Sequence, residues 1–258
     1  MDFSLSILKF IGFYNFFNVI LNLLYEWILN FKINKNFKNK YFKYFEKHPM
    51  KTSIIIMGIV YGIYLIAYYP GVVGYDPSNQ LIEYLGMPSV YTPWVNLINK
   101  DIYITGFNPV LHTLLIGGLF DIGNGLINAN FGIFLYTLLQ VSVTIWILSY
   151  TIKFMMDEGV PSKILLCVLG IYVFVPFFPF YSLTLWKDSF YSLFFILYVI
   201  ELYKFIKYEV SLKNSLIMIL ACIGLCSFRN NGLIIILLSL PFVFFLKKKN
   251  KRYLFLIV

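Results

Sequence analysis

Four short strings hold most of the residues in this sequence that could do chemistry. The first, Tyr69-Pro70-Gly71-Val72-Val73-Gly74-Tyr75-Asp76, breaks an apolar run at Pro-Gly and delivers an acid five residues later. Asp76 in that setting is a general base for a hydroxyl or amine, or a ligand for a hard divalent cation such as Mg2+ or Mn2+. Its plainer reading is the N-cap of a helix over 78–86. The second string, Asn108-Pro109-Val110-Leu111-His112, puts His112 one helical turn beyond Asn108. That histidine suits phosphate binding, metal ligation or proton shuttling, or is an interfacial imidazole with a single hydrogen bond. The third is Leu185-Trp186-Lys187-Asp188. Lys187 is a point charge for a phosphate, or a snorkelling lysine beside Asp188, an acid that offsets a helix dipole. The fourth, Ser227-Phe228-Arg229-Asn230-Asn231-Gly232, interrupts an otherwise apolar stretch, 214–246.

The elements that carry these strings must be membrane helices. Of the 258 residues, 60% are hydrophobic and only 13% charged, with a mean hydropathy of +0.77, against about 25% charged in a soluble domain. Candidate spans are 52–69, 129–150, 163–180, 189–206, 214–228 and 232–246, against the roughly 20 apolar residues that cross a bilayer. Segment 7–30 is a seventh candidate. It carries Asn15, Asn18, Asn22 and Glu26 down one helical face, so it either spans with that stripe against other helices or lies in the interface. No small-x-small cleavage site follows the start, so the first apolar stretch is expected to be retained. The three cysteines, Cys167, Cys222 and Cys226, lie in apolar runs, and the two histidines, His48 and His112, are too few for a multi-histidine metal centre.

The net charge of +9 marks sidedness rather than nucleic-acid binding. With 32–51 on the cytoplasmic face, the connections on that face hold 17 of the 21 Lys and Arg; the other face holds Lys100, Lys187 and Arg229. This is the positive-inside pattern, and it sends all four strings to the outer side. The organisation that follows is a basic N-terminal part, 1–51, a core, 52–246, with an outer loop over 70–128, and a basic segment, 247–258, that begins a further span. The loop is expected to hold two surface helices, 78–86 and 109–120, with Tyr68, Tyr69, Tyr75, Tyr91, Trp94 and Tyr103 as an aromatic belt. Helices of about 15 residues on each side of 229–231 reach about 22 Å, short of a core about 30 Å thick. The turn is thus expected to dip into the outer leaflet, where an arginine marks a functional site.

With these residues in place, the chain resembles the class C (GT-C) glycosyltransferases, multi-span enzymes that take a sugar from a polyprenyl-phosphate carrier outside the cytoplasm. Asp76 matches their loop acid, and Asn108-Pro109-Val110-Leu111-His112 is similar to their His-Pro-Pro-Leu-like motif with the histidine after the proline. Lys187-Asp188 and Arg229-Asn230 look like their outer-loop acid and cation positions. Trp186-Lys187-Asp188-Ser189 and Phe228-Arg229-Asn230-Asn231-Gly232 also look like a bacterial family of glycosyltransferase-like membrane proteins, over residues 52–246. Pro77 follows Asp76 where the class commonly has a second acid, and the soluble C-terminal domain of some members is absent. The resemblance implies an all-α, polytopic transmembrane bundle in the bacterial cytoplasmic membrane. It implies catalysis by Asp76, with His112, Lys187, Asp188, Arg229 and Asn230 on the substrate or carrier phosphate. The partners would be a polyprenyl-phosphate-linked sugar and a cell-surface glycan, lipid or protein acceptor, with no nucleic acid. The alternatives are a non-enzymatic flippase of lipid-linked intermediates and an envelope assembly subunit.

Overall fold

A computed structural model describes residues 3–30, 40–95, 103–209, 211–239 and 241. Among them every regular element is a helix. The first part of the basic stretch, 32–39, Lys100, the later part of the span at 232–246 and the whole of 247–258 lie outside the described residues. The chain divides into a unit ending at Lys43 and a unit from Tyr44 onward. The first holds α1 (Phe3–Asn30), whose stretch Ile7–Glu26 is long and apolar enough to cross a membrane. Asn18 and Asn22 of its polar stripe are within 3.5 Å of one another. Helix α2 (Lys40–Lys47) buries Phe45.

The second unit continues as α3 (Pro49–Ala67), α4 (Tyr75–Tyr84), α5 (Thr92–Val95), α6 (Val110–Leu126) and α7 (Ala129–Asp157). It goes on as α8 (Ser162–Phe174), α9 (Phe177–Leu183), α10 (Lys187–Lys207), α11 (Leu212–Phe228) and α12 (Gly232–Ser239). Helices α3, α7 and α10 are each long and apolar enough to cross a bilayer, which with α1 makes four among the described residues. The chain is therefore an all-helical membrane protein. The polarity of α3 fits that solvent: Ser53, Met57 and Tyr61 are buried while Ile55, Ile59, Ile63 and Ile66 stand exposed, an apolar outer face that lipid covers.

Three expectations change in detail. The stretch 163–180 is two helices, α8 and α9, bent by 51° at Val175-Pro176, where Pro176 cannot donate the amide that would continue the helix. The short helix expected over 109–120 runs on to Leu126 as α6. The helix expected over 78–86 begins earlier, at Tyr75, with Gly74 as its N-cap; Asp76 is in its first turn and caps nothing.

Helix α7 is the central element, against α3, α6, α8, α9 and α10. Lipid supplies no hydrophobic drive for helices to pair, so close approach and buried hydrogen bonds matter more. At the α6–α7 crossing a Cβ on Gly123 would sit 2.4 Å from Gly132 Cα, and one on Gly132 would sit 2.5 Å from Phe120 O. Backbone meets backbone there, and neither side can give way. Tyr61 of α3 donates to the Tyr172 carbonyl of α8 at 3.0 Å. Helix directions alternate, so one end of this unit gathers the last turns of α3, α9 and α11 with the first turns of α7 and α10. The other end carries Lys153, Lys204, Lys207 and Lys213.

Candidate active site

The site is assembled by one short stretch of extended backbone. After α3 the chain turns at Pro70, whose carbonyl accepts from the Thr137 hydroxyl of α7 at 2.9 Å. Gly71 has φ +133°, open to glycine but not to residues with a Cβ, and a Cβ there would strike Thr137 Oγ1 at 2.2 Å. Val72 then pairs in parallel with the segment between α9 and α10. Its amide donates to Leu183 O and its carbonyl accepts from Leu185 N, each at 3.0 Å. Gly74 passes so close to Trp186 that a Cβ would lie 2.6 Å from the indole nitrogen. Two residues later Asp76 faces Lys187 across this seam.

The Lys187 ammonium donates to Asp76 Oδ2 at 3.0 Å and to Asn108 Oδ1 at 2.6 Å. Three strings that are far apart in sequence thus meet at one cation. Lysine has three N–H donors, so one remains for a ligand. Asp76, Lys187 and Asp188 line a cleft of about 360 Å³ with Tyr75, Tyr181 and Trp186. Asp188 Oδ1 lies 3.1 Å from Arg229 Nη1. That contact is an ion pair without the alignment of a hydrogen bond, since no hydrogen-bond partner satisfies the oxygen. The Arg229 guanidinium sits 5.5 Å from the centre of the Tyr191 ring. Asn230 is exposed beside it. Two acids and two cations therefore form a neutral chain, Asp76, Lys187, Asp188 and Arg229, along the cleft.

His112 is placed differently. It is fully buried, with Nδ1 2.8 Å from Gln80 Oε1 and Nε2 2.7 Å from the Tyr136 hydroxyl. The Tyr136 hydroxyl, which donates to Nε2 of the neutral ring while Nδ1–H donates to Gln80, also lies 3.1 Å from Gln140 Oε1, and Gln140 Nε2 donates to the carbonyls of Ser182 and Thr184 at 2.9 and 2.7 Å. The ring does not reach the cleft. It ties α6 to α4 and α7, and through Gln140 to the segment that leads into Lys187. Burial, reinforced by the Lys187 charge, lowers its pKa to about 3, so the imidazole is neutral.

Sequence reasoning missed Gln80, Glu83, Tyr136 and Gln140. Glu83 of α4 is buried and accepts from Ser89 Oγ at 2.9 Å, Thr105 N at 3.2 Å and Thr105 Oγ1 at 3.0 Å. It anchors residues on both sides of the segment that returns to Asn108. One signal was available: Gln140 is an amide inside an apolar run, and a polar group at that depth needs partners. The inward face of α4 gave none, because it is the polar residues Asn79, Gln80 and Glu83 that are buried there.

A divalent cation does not suit this donor set. The cleft has two carboxylates, Asp76 and Asp188, and each is already beside a cationic side chain. Among the described residues no three His, Cys, Asp or Glu side chains converge as a metal site. Compared with known proteins, residues 24–258 match the family model described as "Family of unknown function (DUF6020)", and the chain belongs to that family. No curated protein and no solved structure is significantly similar to it.

Proposed function

We propose that this DUF6020 member is a membrane glycosyltransferase, moving a sugar from a polyprenyl-phosphate carrier to a cell-envelope acceptor on the extracytoplasmic face. The observation that carries the reading is the Asp76–Lys187 contact of 3.0 Å at the mouth of a cleft bordered by spanning helices. A carboxylate and an ammonium there are the two groups that glycosyl transfer from a phosphate carrier needs. The acceptor hydroxyl attacks the anomeric carbon and gives its proton to Asp76. The bond from that carbon to the carrier phosphate breaks, and the phosphate leaves with the electron pair and a second negative charge. Lys187 stabilises that charge through its free N–H, and Arg229 adds to it from beside Asp188. Carrier phosphate at Lys187 competes with Asp76 for the ammonium, which frees the carboxylate to act as a base in the loaded site. His112 acts behind the cleft as a positioning residue. No step is assigned to a metal.

The test is transfer of labelled sugar from a polyprenyl-phosphate donor in membranes expressing equal amounts of each protein. Asp76→Asn should lower transfer by at least about a hundredfold, the scale of a lost general base. Lys187→Gln should raise the donor concentration needed for half-maximal rate. Transfer by Asp76→Asn at the unaltered rate would remove the role given to Asp76. Movement of the lipid carrier between leaflets without sugar transfer would favour a flippase instead.

A further inference from the structure

A second cavity, of about 380 Å³, opens at the end of the bundle away from Asp76. Four helices build it: Met50 from the first turn of α3, Trp146 to Asp157 from the last turns of α7, Lys204 from the end of α10, and Lys213, Asn214 and Ile217 from the start of α11. We propose that it binds a phosphate-bearing anion, supplied as the headgroup of an anionic phospholipid. The site owes nothing to the glycosyltransferase reading and stands if that reading falls.

The charges are unbalanced in favour of an anion. Lys153, Lys204 and Lys213 line the cavity against one carboxylate, Asp157, which Lys153 already holds. Lys204 is nearly enclosed. Its ammonium bonds to the buried Glu201 at 3.0 Å and to the Tyr150 hydroxyl, and lies 4.4 Å above the centre of the Tyr150 ring. Those two bonds leave its third N–H for a ligand. Behind it, Glu201 Oε2 is buried with no hydrogen-bond partner, so this acid fixes Lys204 without closing the mouth. Lys213 has no acidic partner among the described residues, and its ammonium is the surplus charge. It stands in the first turn of α11, where Ser211 Oγ accepts from Asn214 N at 3.2 Å. The remaining first-turn amides give that end a partial positive charge.

The other wall decides what carries the phosphate. Trp146 stacks on Tyr150 with ring centres 6.0 Å apart, and Phe154 and Ile217 continue the apolar side. A free anion gains nothing from that surface, whereas the glycerol and first acyl carbons of a lipid cover it. Basic pockets between membrane helices on the cytoplasmic side take anionic headgroups in this way.

The experiment places the full chain in nanodiscs of phosphatidylcholine with a minor share of phosphatidylglycerol and measures which lipid stays bound on detergent extraction. The wild type should retain phosphatidylglycerol in preference. Lys213→Gln should weaken that retention about fivefold, the effect of one lysine at a charged membrane surface. Lys163→Gln, outside the cavity at the start of α8, should leave it unchanged. Lys213 is exposed, so the variant keeps its fold, checked by an unaltered unfolding midpoint. A second arm adds inorganic phosphate to the protein in pure phosphatidylcholine discs. If phosphate alone raises the unfolding midpoint of the wild type but not of Lys213→Gln, the phosphate site stands with a soluble source. Equal lipid retention by both proteins, with no effect of phosphate on either, would overturn the proposal.

Discussion

At the scale of single residues, the acid and the cations at the outer cleft are held by one another. Asp76 and Lys187 have side chains 42% and 20% exposed, and a pair in that setting contributes roughly 1 kcal/mol or less to stability. Asp76→Asn should therefore fold normally, which separates the proposed catalytic effect from any structural one. Glu83 is the opposite case. It is buried beneath three donors, and Glu83→Ala would leave those donors unsatisfied at a cost of about 3 kcal/mol. The expected outcome is a markedly lower unfolding midpoint, while Glu83→Gln, which keeps an acceptor, falls less. His112 gives a pH dependence with a definite sign. Its folded pKa is about 3 against about 6.5 in an unfolded chain. Between those values only the unfolded state takes up the proton, so stability is full above pH 6.5 and declines as the pH falls. From pH 7 to pH 5 the loss should be about 2 kcal/mol. Unfolding midpoints in detergent across that range would show it, with a shallower slope for His112→Gln.

At the scale of elements, the parallel contact of Val72 with the strand-like segment after α9 does what no single helix could. It brings the end of α3 and the start of α10 into register, and so sets Asp76 opposite Lys187. The break at Pro176 belongs to the same arrangement, since the turned α9 leads its C-terminal end, Leu183 and Thr184, onto Val72. Gly74 is the point where this register is most sensitive. Gly74→Ala adds a methyl at 2.6 Å from the Trp186 indole nitrogen, so either the ring or the backbone must move. Under the proposed function, the expected result is a protein that still folds but transfers sugar poorly, with most of the loss in the turnover rate. Tryptophan fluorescence of Trp186, compared with a Trp186→Phe control, would report the displaced ring.

At the scale of the whole molecule, the second unit separates its charges by end. The cleft end holds Asp76, Lys187, Asp188 and Arg229 in balance. The opposite end keeps a surplus of lysine around the proposed lipid cavity. The proposed sidedness rests on that asymmetry and is open to measurement. In a background with Cys167, Cys222 and Cys226 replaced by serine, a cysteine at the exposed position Phe107 should react with a membrane-impermeant maleimide in intact cells. A cysteine at Lys163 should react only after the membrane is opened. Labelling at Lys163 in intact cells would reverse the assigned orientation and, with it, the face on which transfer is proposed.

The sequence by itself determined the solvent, the helical class and the strings worth watching, because lipid demands long apolar runs and makes every polar residue near them conspicuous. It placed Asp76, His112, Lys187 and Arg229 at or near helix ends on one face, since charge asymmetry and span length are local, additive properties. Only the tertiary structure decided which of them meet. Asp76 and Lys187 are 111 residues apart, and their contact rests on backbone register at Val72 and on the space left by Gly74, neither of which a hydropathy pattern records. The same holds for His112. Its neighbours Gln80 and Tyr136 come from two other helices, and their packing turned a residue with the chemistry of a ligand into a neutral, buried tie behind the cleft.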